Sequence, residues 1–240
     1  MATWVTHLMI ADKILRCFPS LDRRGFCVGN IAPDCNVENE DWTVFTPPRE
    51  VTHWMQNERK MAADCELFYQ EYLVNRAEAI TSPEHYAFLL GYYAHLLTDA
   101  EFQRMIRDEA RVRTVWQRIH ADEALHSRAE GMPETWDSVK KLIPNKERMR
   151  EIYTIEAEYL AAHPDSGYMT EILPLAEFPD YLDYLPHGCI VRKIGVMGAV
   201  PLMPSAPVDF ITLSRDEYKS FVQITVQWIA QQFAVKQIYP

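Results

Sequence analysis

The chain has 240 residues, and with 48 % hydrophobic and 24 % charged residues it has the composition of a globular protein, which argues against long disordered segments. A formal net charge of −10 disfavours binding to phosphate backbones and docking on an anionic bilayer, so neither nucleic acid nor a membrane is an expected partner. Five cysteines without a CxxC pair disfavour a disulfide framework or a four-thiolate zinc site, and we expect reduced thiols in a cytoplasmic protein. The N-terminal sequence lacks the features of a signal peptide, and no apolar run approaches the roughly 18 residues of a membrane span.

Apolar residues recur at helical spacing through most of the chain, which predicts an all-α fold. We expect a single domain over residues 1–240 in which about six or seven helices form an orthogonal or bundled array. The predicted helices cover residues 4–18, 50–74, 83–108, 112–130, 134–162 (as one or two helices) and 215–236. The helix over 83–108 is apolar on all sides and is therefore expected to be buried.

Local signals mark the ends and the buried faces of these helices. Thr3 or Thr6 is the candidate N-cap of the first helix, and Ser214 is that of the last. The apolar stripe of the second helix contains Trp54, Met61, Cys65, Phe68 and Tyr72. The stripe of the last helix contains Phe221, Ile224, Val226, Trp228 and Ile229.

Two segments show no clear helical period. Residues 25–48 are rich in helix breakers and predict a loop. Residues 163–214 are rich in proline and aromatic residues, and the segment CIVRKIGVMGAV within them is compatible with either a short helix or a strand.

His95 and Asp99, in the sequence HLLTD, are the strongest local signal for chemistry. Their i,i+4 spacing places an imidazole and a carboxylate one turn apart on one face of the most apolar helix. A carboxylate there is costly unless it is paired or bound to a metal. Gly91, one turn earlier, leaves room for another element or a ligand. The alternative is a buried His–Asp hydrogen bond without a metal.

Three further residues join this pair. His7 lies on the apolar stripe of the first helix, His53 follows a double proline and opens the next helix, and Asp34 follows Pro33 in the loop. Considered singly, each has an ordinary alternative role: a core histidine, an exposed histidine at a helix start, and a cap or turn residue.

Imidazole and carboxylate groups in such a combination suit zinc and can leave a coordination position open for water. Two or more ions could share a bridging Asp99 and clamp an oxyanion between them. The predicted ligands are His7, Asp34, His53, His95 and Asp99.

The order of motifs WxxH, GNIAPD, THW and GYYAHLLTD, within residues 1–105, resembles that of the zinc-dependent phospholipase C family. The resemblance implies an all-helical phospholipase C/nuclease-like array in which those five residues bind two neighbouring zinc ions. It further implies that Asp99 bridges the ions and that Asp34 is a candidate general base.

The chain departs from this family at two points. Secreted members use the amino group of an N-terminal tryptophan as a ligand, whereas Met-Ala-Thr precedes Trp4 here. Met105 lies where the family's third zinc has a histidine, so a third ion is not expected. Residues that could complete the site, or that simply lie on a surface helix, are His120, Asp122, Glu123, His126 and Glu130.

The sequence therefore predicts a phosphoester hydrolase that uses one or two zinc ions and a metal-activated water as nucleophile. The expected substrate is a small-molecule or lipid phosphoester, with phosphodiesters favoured. The alternatives are a non-catalytic helical protein stabilised by its metal, and a small-molecule or lipid binding module. Neither the physiological substrate nor the oligomeric state follows from the sequence.

Overall fold

The computed structural model describes residues 2–55 and 63–238, and helices account for most of the regular structure in both ranges, which confirms the all-α fold. The α-helices in these ranges are α1 Trp4–Cys17, α2 Arg23–Gly29, α3 Arg49–Thr52, α4 Cys65–Tyr69, α5 Pro83–Arg107, α6 Glu109–Ala121, α7 Glu123–Ala129, α8 Trp136–Leu142, α9 Asn145–Ala162, α10 Cys189–Met197 and α11 Arg215–Val235. Short 3-10 helices cover Ala32–Asp34 and Ala77–Ala79, and π-helical turns cover Gln70–Asn75 and Tyr168–Ile172. An antiparallel hairpin pairs β1 Val37–Glu38 with β2 Phe45–Thr46.

The first, the most apolar and the last of the predicted helices are confirmed as α1, α5 and α11. Thr3 caps α1, because its Oγ1 accepts the Thr6 N–H at 3.2 Å. At the start of α11, the Ser214 Oγ accepts the Glu217 N–H at 3.2 Å, and the Glu217 carboxylate accepts the Ser214 N–H at 2.6 Å. This reciprocal capping box explains why α11 begins where the sequence predicts.

The second predicted helix is wrong as one continuous element. α3 ends at Thr52, and the backbone of Trp54 adopts a left-handed φ of 51°, which a right-handed helix does not accommodate. An isolated antiparallel bridge then pairs Met55 with Ala63. Trp54 contacts Phe68 edge to face, so two residues of the predicted stripe meet although they do not share one helix. Met61 lies outside the described residues.

Other predicted elements are divided further. The helix expected over residues 112–130 is interrupted at Asp122, whose carboxylate accepts the Leu125 N–H at 2.9 Å and caps α7. Pro144 separates α8 from α9 within the segment predicted as one or two helices. The ambiguous segment at 189–200 forms the helix α10 over Cys189–Met197, and its last three residues lie beyond the helix.

Two further expectations are corrected by the structure. The predicted loop over residues 25–48 includes most of α2, a 3-10 turn and the hairpin. Ile224 was expected to face the core, but 45 % of it is exposed.

The chain forms two compact units, and two of their four boundaries along the sequence fall within α5 and α11. The first unit comprises residues 1–100, 164–199 and 224–240, and the second comprises residues 101–163 and 200–223. The single domain predicted over residues 1–240 stays a prediction. Among the described helices, none is both long enough and apolar enough to cross a membrane.

In the first unit, α2 and α5 touch through their backbones. A Cβ atom on Gly29 would lie 2.1 Å from the carbonyl oxygen of Phe88, and one on Gly91 would lie 2.2 Å from that of Phe26. Only glycine permits this approach, so Gly91 makes room for another helix. The contact brings Asn30, at the end of α2, onto the buried face of α5.

Candidate metal centre

His95 and Asp99 lie one turn apart on α5, and both are buried, with exposed fractions of 0 % and 6 %. Their closest side-chain atoms, the His95 Nε2 and the Asp99 Oδ2, are 3.9 Å apart. That distance is too long for the direct His–Asp hydrogen bond that the sequence left open. The two groups face one another without bonding.

The helix α1 places His7 against this pair. Its ring stacks on that of His95 with centroids 3.8 Å apart and planes only 3° apart. The His7 Nε2 lies 3.7 Å from the Asp99 Oδ1. His7 is fully buried, as its position on the apolar stripe predicts.

Asp34 and His53 lie in the part of the chain that connects α1 to α5. Asp34 closes the 3-10 turn after Pro33, and His53 is the C-cap of α3, not the opening residue of a helix as predicted. The His53 Nε2 lies 3.3 Å from the Asp34 Oδ1 and 3.7 Å from the Asp99 Oδ2. Only 2 % of His53 is exposed, so it is not the surface histidine of the alternative reading.

All five predicted ligands thus converge in the first unit. Their donor atoms form two groups that share His95, and within each group these atoms lie within 4.8 Å of one another. The first group adds His7 and Asp99, and the second adds Asp34 and His53. Ligand atoms around a tetrahedral zinc lie about 3.3 Å apart, given bonds of about 2.0–2.1 Å. The measured separations of 3.3–3.9 Å therefore suit a shared cation.

Hydrogen bonds fix the orientation of two of the imidazoles. The His95 Nδ1 lies 2.8 Å from the carbonyl oxygen of Asn30, which can only accept, so Nδ1 carries the proton. The His53 Nδ1 lies 2.9 Å from the Thr52 Oγ1, which in turn donates to the carbonyl oxygen of Arg49 at 3.4 Å. Both arrangements leave the Nε2 lone pair directed at the carboxylates, as in metal-binding histidines.

Several buried nitrogens of the cluster have no hydrogen-bond partner. They are the Nδ1 and Nε2 of His7, the Nε2 of His53 and the Nε2 of His95. Leaving a buried polar atom without a partner costs about 1–3 kcal/mol, so such atoms require an explanation. One or two cations bound by the three Nε2 lone pairs would explain why these nitrogens lack hydrogen-bond partners.

The protonation states also suit a cation. Burial, together with the neighbouring His7, lowers the pKa of His95 to about 3. Burial works against ionisation of Asp34, but His53 and His95 outweigh it and hold the pKa of Asp34 below its ordinary value. The pKa of Asp99 is lowered in the same way, by His7 and His95 against the effect of burial. At neutral pH both carboxylates are ionised and His95 is neutral, which are the forms that bind a metal.

Two more groups contact Asp99. The Ala2 backbone N–H donates to Oδ1 at 3.2 Å, and the Arg49 Nη2 donates to Oδ2 at 3.3 Å. The carboxylate of Asp99 is therefore held at both oxygens, and each oxygen also faces a different histidine, Oδ1 facing His7 and Oδ2 facing His53. This arrangement is compatible with a carboxylate that bridges two ions.

The further candidates from the sequence lie in the second unit. His120 contacts Glu134 at 3.0 Å and His126 at 3.3 Å through its two ring nitrogens, and Asp122 caps α7. Within residues 2–55 and 63–238, none of the five belongs to a group of three or more clustered ligand atoms. Their participation in the site stays a prediction.

Asn30, Arg49 and Thr52 belong to the site but were missed by the sequence reasoning. Asn30 lies within the motif GNIAPD and acts through its backbone carbonyl, for which side-chain chemistry gives no signal. Thr52 precedes His53, and Arg49 is one helical turn before it. The i,i+4 spacing of Arg49 and His53 was the signal that could have indicated Arg49.

A cleft of about 510 Å³ lies beside α3 and is lined by Val51, Trp54, Tyr72 and Tyr184 among others. The Tyr184 hydroxyl accepts the Trp54 Nε1–H at 3.4 Å and donates to the Tyr92 hydroxyl at 2.8 Å. Tyr92 in turn donates to the carbonyl oxygen of Thr52. One wall of the cleft is therefore hydrogen-bonded to the backbone that carries His53.

No protein-family model, curated protein or solved structure matches this chain.

Proposed function

We propose that this protein is a zinc-dependent phosphoester hydrolase that favours phosphodiesters. The observation that carries the proposal is the convergence of three buried imidazoles and two carboxylates, with the Nε2 atom of each imidazole lacking a hydrogen-bond partner. Neutral imidazoles and ionised carboxylates are zinc ligands, and a bound zinc would explain why these nitrogens are buried without hydrogen-bond partners. One or two ions are proposed, since the two ligand groups share His95.

His7, Asp34, His53, His95 and Asp99 would hold the zinc. When bound, zinc lowers the pKa of a water molecule and neutralises charge on a phosphoryl oxygen. Asp34 is the proposed general base, because its side chain is 17 % exposed and is the most accessible of the five. An ionised carboxylate in that position can orient a water molecule and take its proton.

The environment of the cluster supports an organic phosphoester as substrate. The cleft beside Trp54 offers apolar and aromatic surface for the organic group, and its wall is joined to α3 by the tyrosine hydroxyls. A cytoplasmic location is part of the proposal, and it is supported by the five cysteines, all within the described residues and all unpaired with one another.

Metal content and hydrolysis test the proposal together. Protein purified without added metal should contain one to two zinc ions per chain by elemental analysis and should hydrolyse bis(p-nitrophenyl) phosphate. Asp99→Asn should lose both metal and activity while its far-UV circular dichroism keeps the helical signal. Asp216→Asn, the same change at an exposed position on α11, serves as the matched control.

The outcomes separate the proposal from its rivals. Protein without metal and without hydrolysis supports a small-molecule or lipid binding module. Protein with a full complement of zinc but no hydrolysis supports a scaffold stabilised by its metal. Full metal content and full activity in Asp99→Asn would contradict the proposed site.

A further inference from the structure

Arg49 is placed beside the cluster by the same short helix that positions His53. It begins α3, and the His53 backbone N–H donates to its carbonyl oxygen at 2.8 Å. The two residues are therefore one helical turn apart and project from the same side of α3.

The guanidinium lies at the border between the buried cluster and solvent. Its Nη2 is 3.3 Å from the Asp99 Oδ2, and 35 % of the Arg49 side chain is exposed. The side chains of His7 and His95 are fully buried by comparison, and that of Asp99 is 8 % exposed. Arg49 is thus a site residue that solvent reaches readily.

The hydrogen-bonding capacity of Arg49 is largely unused by the contact with Asp99. An arginine has five N–H donors, and the contact with Asp99 uses one of them. Across residues 2–55 and 63–238, no other lysine or arginine forms an ion pair with Asp34 or Asp99. A guanidinium with free donors binds phosphoryl oxygens well, because its planar fork can contact two of them at once.

We infer that Arg49 is the anion-binding residue of this site and contacts a non-bridging oxygen of the phosphoryl group of the substrate. The inference rests on the proposed function and deepens it, because it assigns the recognition of the anion to a side chain of the protein in addition to the metal. The inference also explains why the Arg49 guanidinium is partly exposed to solvent while it contacts Asp99. A residue needed only to neutralise Asp99 would contribute to metal retention and not to anion affinity.

Binding of inorganic phosphate to the zinc-loaded protein provides a test that does not depend on turnover. Isothermal titration calorimetry would compare the unsubstituted protein with Arg49→Gln and Arg49→Lys. Arg16→Gln, which removes the same charge from an exposed position near the end of α1, is the matched control. Zinc content is measured on every sample before titration.

We expect Arg49→Gln to keep its zinc and to bind phosphate about 10- to 100-fold more weakly, the range for loss of a charge-assisted hydrogen bond. Arg49→Lys retains the charge but not the planar guanidinium, so it should show a smaller loss of phosphate affinity. It also provides a second measurement if the Gln variant folds poorly. Arg16→Gln should bind phosphate as the unsubstituted protein does. The loss in Arg49→Gln should also appear as a weaker competitive inhibition of bis(p-nitrophenyl) phosphate hydrolysis by phosphate.

Two results would overturn the inference alone. Phosphate binding of unchanged affinity in zinc-loaded Arg49→Gln shows that the guanidinium does not hold the anion. Loss of zinc from both Arg49 variants shows that the residue retains the metal through Asp99. Absence of zinc from the unsubstituted protein would instead defeat the proposed function, and the inference with it.

Discussion

The rings of His7 and His95 lie face to face, with their planes 3° apart and their centroids 3.8 Å apart. The His95 ring is uncharged at neutral pH, because burial lowers its pKa to about 3. Neither Nε2 atom has a hydrogen-bond partner. A bound divalent cation would supply the partner that these two buried Nε2 atoms lack.

Replacement of His7 by phenylalanine tests whether the stacked His7 and His95 rings bind a cation. His7→Phe keeps the aromatic ring and removes two buried nitrogens without partners, so metal-free protein should be as stable or about 1–2 kcal/mol more stable. The stabilisation by zinc, about 2.7 kcal/mol at a free concentration 100-fold above the Kd, should shrink. Urea unfolding with EDTA and with zinc measures both quantities.

His187→Phe is the control for that experiment, since its side chain is 97 % exposed. It should leave the stabilisation by zinc unchanged. A His7→Phe variant that is strongly destabilised without metal, yet still fully stabilised by zinc, would identify His7 as an ordinary core histidine.

The meeting of His7, His95 and Asp99 could be predicted from the sequence because polar groups on apolar helices require partners. His7 lies within an apolar stripe, and the pair His95 and Asp99 lies on the most apolar helix, so each had to meet another polar group. The metal itself stays a prediction. The path of the chain between α1 and α5, which carries Asp34 and His53, was not predictable in the same way.

The chain path around His53 and the contact at Asn30 depend on backbone events that side-chain patterns do not record. The left-handed backbone of Trp54 breaks a helix whose apolar stripe looked continuous. The close approach of α2 to α5 depends on Gly29 and Gly91, which lie far apart in the sequence. The hydrogen bond from His95 to the Asn30 carbonyl follows only once that approach is known.

Gly29→Ala should therefore impair both the fold and the site. The added Cβ would lie 2.1 Å from the carbonyl oxygen of Phe88, so α2 must move away from α5, at a cost of about 1–3 kcal/mol or more. Zinc affinity should fall as well, because Asn30 moves with α2. Gly195→Ala in α10 is the control: its Cβ meets no atom within 4 Å, and we expect a change of about 0.5–1 kcal/mol toward stability. Thermal unfolding and zinc titration would show whether the two substitutions differ as expected.

Thr52→Val should weaken zinc binding and also lower the stability of the fold by about 1–3 kcal/mol, because it leaves the buried His53 Nδ1 without a partner. The hydroxyl of Thr52 is the partner of the His53 Nδ1 at 2.9 Å, and valine has a similar shape but cannot accept that proton. Loss of such an outer partner typically reduces metal affinity by about 10- to 100-fold. Thr52→Ser retains the hydroxyl and should bind zinc as the unsubstituted protein does. Competition with a chromophoric chelator measures the affinities, and equal values for Val and Ser would exclude this role for Thr52.

The metal-free protein should lose stability on mild acidification, and His95 should be a principal cause. Its pKa is about 3 in the folded state and 6.5 ordinarily, so between these values the unfolded chain binds a proton that the folded chain does not. Stability should consequently fall as the pH drops below 6.5, with a slope approaching about 1.4 kcal/mol per pH unit. Carboxylates with a lowered pKa act in the same direction only near and below their ordinary values of 3.8 for Asp34 and Asp99 and 4.5 for glutamates such as Glu38, so chemical unfolding in EDTA between pH 7 and 5.5 reports mainly on histidine. His95→Gln should show a shallower slope, and an identical slope would mean that His95 is not held neutral.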